Sequence, residues 1–302
     1  MALELRHLRY LLAVAEHANF TRAAEELRIS QPTLSQQIKQ LEGTVGVQLL
    51  DRTGRGGVRL TDAGETYVHH ARRALRDLAA AERAVHDVAD LSRGHLRLAV
   101  TPTFTAYLVG PLAAELHARH PGITLDVRDM AQDRIEAGLL ADELDLGIAF
   151  DGPHLPGITA TPLYAETLSL VTAARPATDG PQPPLAVGDL VDRQLVLLSG
   201  DFATRGHIDA YLAGHRVRPR IAVETNSVQT LTEIVRCTDL ATVLPDAVTE
   251  DHPHLAQIPL EPALPTRTVA LLGRENSYRS AAAGAFTRIA HHHVRARGYA
   301  PA

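Results

Sequence analysis

Phe20-Thr21-Arg22-Ala23-Ala24-Glu25-Glu26-Leu27-Arg28-Ile29-Ser30-Gln31-Pro32-Thr33-Leu34-Ser35-Gln36-Gln37-Ile38-Lys39-Gln40-Leu41 is the stretch on which the fold turns. Thr21 to Leu27 reads as a short helix with Thr21 as its N-cap. Arg28-Ile29 makes a turn, and Ser30 caps a second helix whose first turn carries Pro32, where a missing N–H costs nothing. Leu34, Ile38, Leu41 and Val45 recur at helical spacing and predict one apolar stripe. The opposite face carries Pro32, Gln36, Lys39 and Gln40, flanked by Gln31, Thr33 and Ser35. Short polar side chains and one cation, on a helix held from behind, suit base edges in a major groove. Double-stranded DNA is therefore the first expected partner.

Outward from this core the pattern stays coherent. Leu5, Leu8, Leu12 and Ala15 predict a preceding helix. Leu49–Arg52 and Val58–Leu60 predict two short strands around Thr53-Gly54-Arg55-Gly56-Gly57, a wing carrying Arg52, Arg55 and Arg59. Phosphate contact, or insertion of Arg55 into a minor groove, is one role for it; a solvated turn is the other. Thr61 then opens a helix expected to run to about Asp90, which at 1.5 Å per residue spans roughly 45 Å. Val68, Ala71, Leu75, Leu78, Val85 and Ala89 form a heptad seam broken by Glu82. A second copy of the chain is the partner this seam suggests, against the alternative of a helix lying on its own effector domain.

Size and charge bound the rest. At 302 residues the chain exceeds what one hydrophobic core organises, so two or three units are expected. Net charge is −5, which argues against indiscriminate coating of nucleic acid. Residues 1–90 carry twelve Lys+Arg and twelve Asp+Glu, so DNA binding must depend on local clustering. The one cysteine, Cys237, excludes an intramolecular disulfide framework and suits a reducing cytosol. No signal-peptide pattern opens the sequence and no apolar run is long enough for a bilayer, so a cytoplasmic location without membrane contact is expected.

Past Ser92-Arg93-Gly94 strand-like and helix-like stretches alternate. Leu96–Val100, Ile123–Val127, Leu144–Phe150, Leu168–Val171, Leu195–Leu198, Ile221–Glu224, Ala241–Leu244 and Val269–Leu272 read as short buried strands of the parallel α/β kind. Proline breaks at Thr161-Pro162 and Ala263-Leu264-Pro265 suggest two crossings between lobes. Such a two-lobed unit normally holds a small molecule in its cleft.

In this order the pieces resemble a LysR-type transcriptional regulator along essentially the whole chain. The likeness rests on Phe20-Thr21-x-Ala23-Ala24, Ser30-Gln31-Pro32-Thr33-Leu34-Ser35-x-x-Ile38, Leu41-Glu42, Gly46, Leu49, Asp51-Arg52 and Leu60-Thr61-Asp62-Ala63-Gly64. It implies a winged helix-turn-helix (1–61), a dimerising linker helix (62–91) and an effector-binding domain (92–302) resembling periplasmic binding proteins. Lobe I would take about 95–162 and 267–302, and lobe II about 163–266. The resemblance further implies an inverted-repeat operator, a homotetramer built from linker-helix dimers, and RNA polymerase as a partner in activation. Within the family, the chain resembles the branch of cyanate-operon regulators. His86 to Leu91, Val100-Thr101-Pro102-Thr103-Phe104-Thr105, Asp142-Glu143-Leu144-Asp145-x-Gly147-Ile148-Ala149-Phe150 and Phe202-Ala203-Thr204-Arg205 carry that likeness. Thr238-Asp239-Leu240-Ala241 replaces the Gly-x-Gly turn of many members, a departure shared with that branch.

The family holds its inducer between the lobes. Mapped here, the contacts are Thr101, Thr103, Gln132 and Phe150 from one lobe, and Ser199, Phe202, Thr204, Asn226 and Ser227 from the other. Thr103, Gln132, Thr204 and Ser227 each fall at or near a helix start, where free N–H groups favour an anion such as cyanate or bicarbonate. Simple capping is the other reading of the same residues. Arg205 either completes that site or faces water. An aromatic or larger carboxylate inducer is the alternative ligand, and a binding protein without a DNA role the alternative class. No catalytic set, cofactor motif or metal-spaced cluster is read. His291-His292-His293 is taken as part of a solvated helix and Cys237 as a buried small hydrophobe.

Overall fold

The computed structural model describes residues 3–52, 57–87, 94–174, 183–250 and 252–302. Contacts divide the chain into two compact units, Met1–His86 and Asp87–Ala302.

In the N-terminal unit, α1 (Leu5–His17), α2 (Phe20–Glu26) and α3 (Gln31–Val45) precede the hairpin strands β1 (Leu50–Asp51) and β2 (Arg59–Leu60) and the long α4 (Asp62–Asp87). The α1 stripe is displaced from the expected one. Leu8, Leu11 and Val14 are buried, while Leu5 is exposed. The N-cap of α2 is Asn19, whose side chain accepts from the N–H groups of Thr21 and Arg22; Thr21 lies inside the helix. Asn19 takes this place because its side chain reaches back to the first free amides. Ser30 caps α3 through the N–H of Thr33, as expected. Leu34, Ile38 and Leu41 are fully buried, but Val45 at the end of the stripe is exposed, and Gly46 follows it with a φ of 78°.

β1 and β2 pair antiparallel, Leu50 opposite Leu60. Glu42 pins this wing to α3: its Oε1 accepts from the N–H groups of Leu49 and Leu50 at 3.0 and 3.1 Å. Arg55 lies outside the described residues. Thr61 caps α4 by accepting from the N–H of Gly64 at 3.0 Å. The seam of α4 is not uniform. Val68 and Ala71 are buried, and Val68 joins the core of the winged unit itself. Leu78 is exposed, so the part of the seam left for a partner begins about Leu75. Glu82, Val85 and Ala89 lie outside the residues whose side chains are described.

The C-terminal unit opens with β3 (Gly94–Val100), α5 (Val109–Arg119), β4 (Ile123–Asp129), α6 (Gln132–Leu140), β5 (Leu146–Phe150) and β6 (Ile158–Glu166). The second lobe follows as β7 (Leu168–Ala173), β8 (Leu185–Ala186), β9 (Gln194–Leu198), α7 (Ala203–Gly214), β10 (Arg220–Thr225), α8 (Val228–Cys237), β11 (Thr242–Pro245), α9 (Asp246–Thr249), β12 (Leu255–Ile258) and β13 (Leu260–Glu261). β14 (Arg267–Arg274) and α10 (Ala281–Ala296) return to the first lobe.

Lobe I is a five-stranded sheet in the order β4-β3-β5-β14-β6. β3 pairs parallel with β4 and β5, whereas β14 runs antiparallel to β5 and β6, so the sheet is mixed rather than parallel. Phe104, Leu112, Phe286 and Ile289 pack one face and Ile135 and Leu139 of α6 the other. The proline expected to mark a crossing, Pro162, instead lies inside the edge strand β6, where a missing N–H breaks no ladder beyond it. The chain leaves the sheet after Glu166, four residues later than the sequence suggested. Lobe II combines an antiparallel β11-β7-β12 sheet with parallel pairs β9-β10 and β8-β13, flanked by α7 and α8.

Gly64 explains the glycine of the Leu60–Gly64 motif. A Cβ there would stand 2.0 Å from the carbonyl oxygen of Leu49, which also accepts from the N–H of Thr61. Backbone cannot yield as a side-chain tip can. Gly64→Ala should therefore lower the unfolding free energy of the winged unit by about 2 kcal/mol, read from urea denaturation of the full chain. An unchanged midpoint would show that the hairpin and α4 do not meet this closely.

Candidate nucleic-acid interface and effector cleft

The outer face of α3 is open. Gln31, Pro32, Thr33, Gln36 and Lys39 are exposed and Ser35 is half-buried, while the buried stripe holds the helix from behind. Ser30 and Thr33 are tied hydroxyl to hydroxyl at 2.7 Å, which fixes the start of the helix. Thr21 and Arg52 are also exposed. Arg52 is nonetheless engaged: its Nη2 donates to Glu42 at 3.0 Å and its guanidinium lies 5.1 Å from the Phe20 ring. It acts first as a brace between wing and helices. The face can offer hydroxyls, amides and one ammonium to a duplex.

The C-terminal unit carries a cavity of about 560 Å³ between its lobes. Phe202, Asn226 and Ser227, three of the residues expected to contact an inducer, line it. Ser227 also caps α8 through the N–H of Thr230, so capping and cleft lining coincide at one residue. Pro102, Thr105, Ala106 and Asp129 complete the wall from lobe I, and Gln229, Thr232, Glu233, Val248 and His252 from lobe II. Sequence reasoning missed these. Asp129 had a signal, since it ends a strand at the edge where α/β folds bind ligands. Glu233 and His252 had none.

The other expected contacts are occupied elsewhere. Ser199 donates to Asp201. Thr103 is buried in the 3-10 turn Pro102–Ala106. Gln132, the first residue of α6, donates from Nε2 to the carbonyl of Phe150 at 2.9 Å and accepts from the Phe150 N–H at 3.2 Å. Its amide is consumed in stapling the end of β5 to α6. Arg205 is held by Asp209, Glu224 and the carbonyl of Leu198, so it neither faces water freely nor completes an anion site. Cys237 is exposed rather than buried, because it sits at the last position of α8. Thr101 does not line the cavity either, though it adjoins Pro102 of the wall; it is buried, and its Oγ1 has no hydrogen-bond partner among the described residues.

Where the chain crosses between lobes, a polar clasp fills the interior. Arg267 donates from Nε to Glu166 at 2.7 Å and from Nη2 to Thr204 at 2.8 Å, and its guanidinium lies 3.8 Å from the Phe150 ring. The Tyr107 hydroxyl donates to Glu166 at 2.6 Å, so the hydrogen between the Tyr107 and Tyr164 hydroxyls belongs to Tyr164. Burial pushes the Glu166 carboxyl above its usual range despite the pull of Arg267 and Tyr107. Burial likewise drives both tyrosines well above theirs, keeping them protonated donors. The expected residues Phe150 and Thr204 thus belong to a hinge assembled around Arg267. A charged residue closing one apolar run and another opening the last were visible in sequence, but their pairing was not.

A second buried group supports Gln132. His154 Nδ1 lies 2.8 Å from Glu136 Oε1, and its Nε2 3.3 Å from Asp151. Desolvation opposes the charge on His154, but the bonds to Glu136 and Asp151 outweigh it and raise its pKa. For Glu136, desolvation is likewise outweighed by His154, the Leu155 N–H and Gln132, which lower its pKa. The signs fix a window. The His154 contribution is full below its ordinary 6.5 and is lost as pH rises through the raised value. The Glu136 contribution is present above its ordinary 4.5 and is lost as pH falls through the lowered value. Stability of the C-terminal unit should therefore fall as pH rises above the ordinary 6.5 of His154 and through its raised value. His154→Asn should abolish that slope; denaturation at several pH values checks both, and an identical slope in the variant would assign it elsewhere.

Comparison with known proteins accounts for both regions. Residues 5–65 match the model described as "Bacterial regulatory helix-turn-helix protein, lysR family", and residues 89–295 match "LysR substrate binding domain". The nitrogen assimilation regulatory protein nac of Klebsiella aerogenes is 31% identical over 246 residues, covering 81% of this chain and 79% of that protein. The uncharacterised HTH-type transcriptional regulator YdcI of Escherichia coli is 30% identical over 264 residues, 85% of each chain. Among solved structures, a full-length OxyR variant of Pseudomonas aeruginosa aligns with a TM-score of 0.67 at 25% identity, over 98% of this chain and 95% of that one. CbnR complexed with its target DNA shares the fold, with a TM-score of 0.54 at 23% identity over 96% of this chain and 99% of that one.

Proposed function

The chain belongs to the LysR family of DNA-binding transcriptional regulators, and from that premise we propose that a small anion held between its effector lobes changes the geometry of a promoter-bound oligomer in the cytoplasm. Cyanate is the first ligand to consider and bicarbonate the second. The observation that carries an anion is Thr101, which does not itself line the cavity but adjoins Pro102 of its wall: a buried hydroxyl with no partner among the described residues is the kind of group a ligand entering there would satisfy. The starts of α7 and α8, next to Phe202 and Ser227 of the cavity wall, add positive potential. A larger carboxylate inducer is the second reading. It is favoured by the cleft volume of about 560 Å³, ample for a ligand of many atoms. Its far end would meet Asp129 and Glu233, whose carboxyl groups disfavour negative charge at the rim.

Two copies joined through the exposed part of the α4 seam would present two α3 faces to an inverted repeat, and two such dimers would make a tetramer. Lobe closure would move the linker helices, and the ligand could drive this only by its difference in affinity between the two states. Contact with RNA polymerase would follow from operator geometry.

Thr101→Val removes an unsatisfied hydroxyl without changing shape, so folding stability should be unchanged or slightly higher. Anion binding should weaken about tenfold, measured by calorimetry with cyanate, bicarbonate and benzoate in turn. Equal affinity in both proteins for every anion would place the pocket elsewhere. Gln36→Ala should abolish discrimination between operator and scrambled duplex in an anisotropy assay while leaving anion binding intact. Full discrimination by the variant would remove Gln36 from the interface.

A further inference from the structure

The cleft wall holds charges that a plain anion does not use. Among the described residues no lysine or arginine lines the cavity, while two carboxylates do, Asp129 from lobe I and Glu233 from lobe II. The two are not equivalent. Glu233 Oε2 accepts from Nε and Nη2 of Arg236 at 3.0 and 2.8 Å, which holds its carboxyl below the usual range. Asp129 ends β4, and its side chain has no hydrogen bond or ion pair among the described residues. Burial pushes its carboxyl above the usual range, with no cation at hand to oppose this. A carboxylate drawn part of the way out of water without a counter-charge is relieved by a cation brought to it.

The start of α8 has the opposite need. Ser227 spends its side-chain oxygen on the N–H of Thr230 at 3.2 Å. The N–H groups of Val228 and Gln229, the first two of the helix, have no acceptor among the described residues. Both residues line the cavity, so these amides and the positive end of the helix favour a carboxylate there. Phe202 and Val248 add apolar wall suited to a carbon skeleton. We propose that the cleft ligand is an amino carboxylate, its carboxylate at the start of α8 and its ammonium group on Asp129. The inference rests on the reading that the cleft holds a carboxylate larger than cyanate, and it names the second charge which that ligand carries.

The test titrates the full-length chain in a calorimeter with pentanoate, α-aminopentanoate, δ-aminopentanoate and pentylamine. The carbon skeleton is constant, so differences report the charged groups. At least one of the two amino carboxylates should bind about tenfold tighter than pentanoate and than pentylamine. Asp129→Asn keeps the shape and removes the charge. It should erase that advantage while leaving the affinity for pentanoate within about twofold of native. Its melting temperature without ligand should be unchanged or higher, since an unpaired carboxylate adds nothing to the fold. Glu233→Gln, whose carboxylate Arg236 already engages, should cost the amino carboxylate less than Asp129→Asn does. Pentanoate binding as tightly as both amino carboxylates would overturn the inference and keep the carboxylate reading. An advantage that survives in Asp129→Asn would overturn the contact with Asp129, and so would an equal loss in Glu233→Gln, which would reduce the effect to the general field of the rim. Absence of binding by all four compounds would overturn the inference together with the reading on which it rests.

Discussion

Glu166 and Arg267 form the contact on which the effector unit depends. They stand where the chain leaves the five-stranded sheet and where it returns, with side chains 2% and 10% exposed, so the ion pair joins both crossings in nearly dry surroundings. Removing two charges from water costs several kcal/mol each, and their attraction roughly offsets that rather than adding net stability. What the pair supplies is position. Arg267 reaches Thr204 in lobe II and stacks on Phe150 in lobe I, while Tyr107 bonds Glu166. Removing one partner would strand a buried charge at a cost of about 3–5 kcal/mol.

The N-terminal unit solves a different problem. Its first 90 residues are electrically neutral, so it cannot rely on bulk attraction to a duplex. The charges instead brace the wing: Glu42 receives two backbone amides and Arg52, and Arg52 lies over Phe20. What remains toward solvent on α3 is mostly uncharged hydrogen-bonding groups, which favour base edges over phosphates. In the proposed dimer, two copies of the helix presented at once would supply affinity that net charge does not.

Much of this was legible in the chain. The helix-turn-helix and the strands assigned beyond Gly94 announce themselves because short-range patterns of apolar and capping residues decide them. The failures share a cause. Pro162 was read as a boundary because proline disrupts ladders, but an edge strand has a side on which the disruption costs nothing. Thr21 was read as a cap because Asn19 lies outside the motif that drew attention. Gln132 and Thr204 were placed in the cleft by resemblance, yet their partners, the Phe150 backbone and Arg267, lie 18 and 63 residues away. No local pattern reports such partners.

By itself, the sequence determined which segments are helices and strands, where the helix with an open polar face lies, and that a two-lobed α/β unit follows it. Periodicity and capping are local, so adjacent residues suffice to set them. Tertiary structure alone decided which polar groups are spent on one another and which are not. Thr101 keeps a hydroxyl unused among the described residues while Thr204 does not, and Asp129 and Glu233 line one cleft from opposite lobes. Those outcomes depend on distances between segments far apart in the chain, and hydrogen bonds and charges act only over a few ångströms.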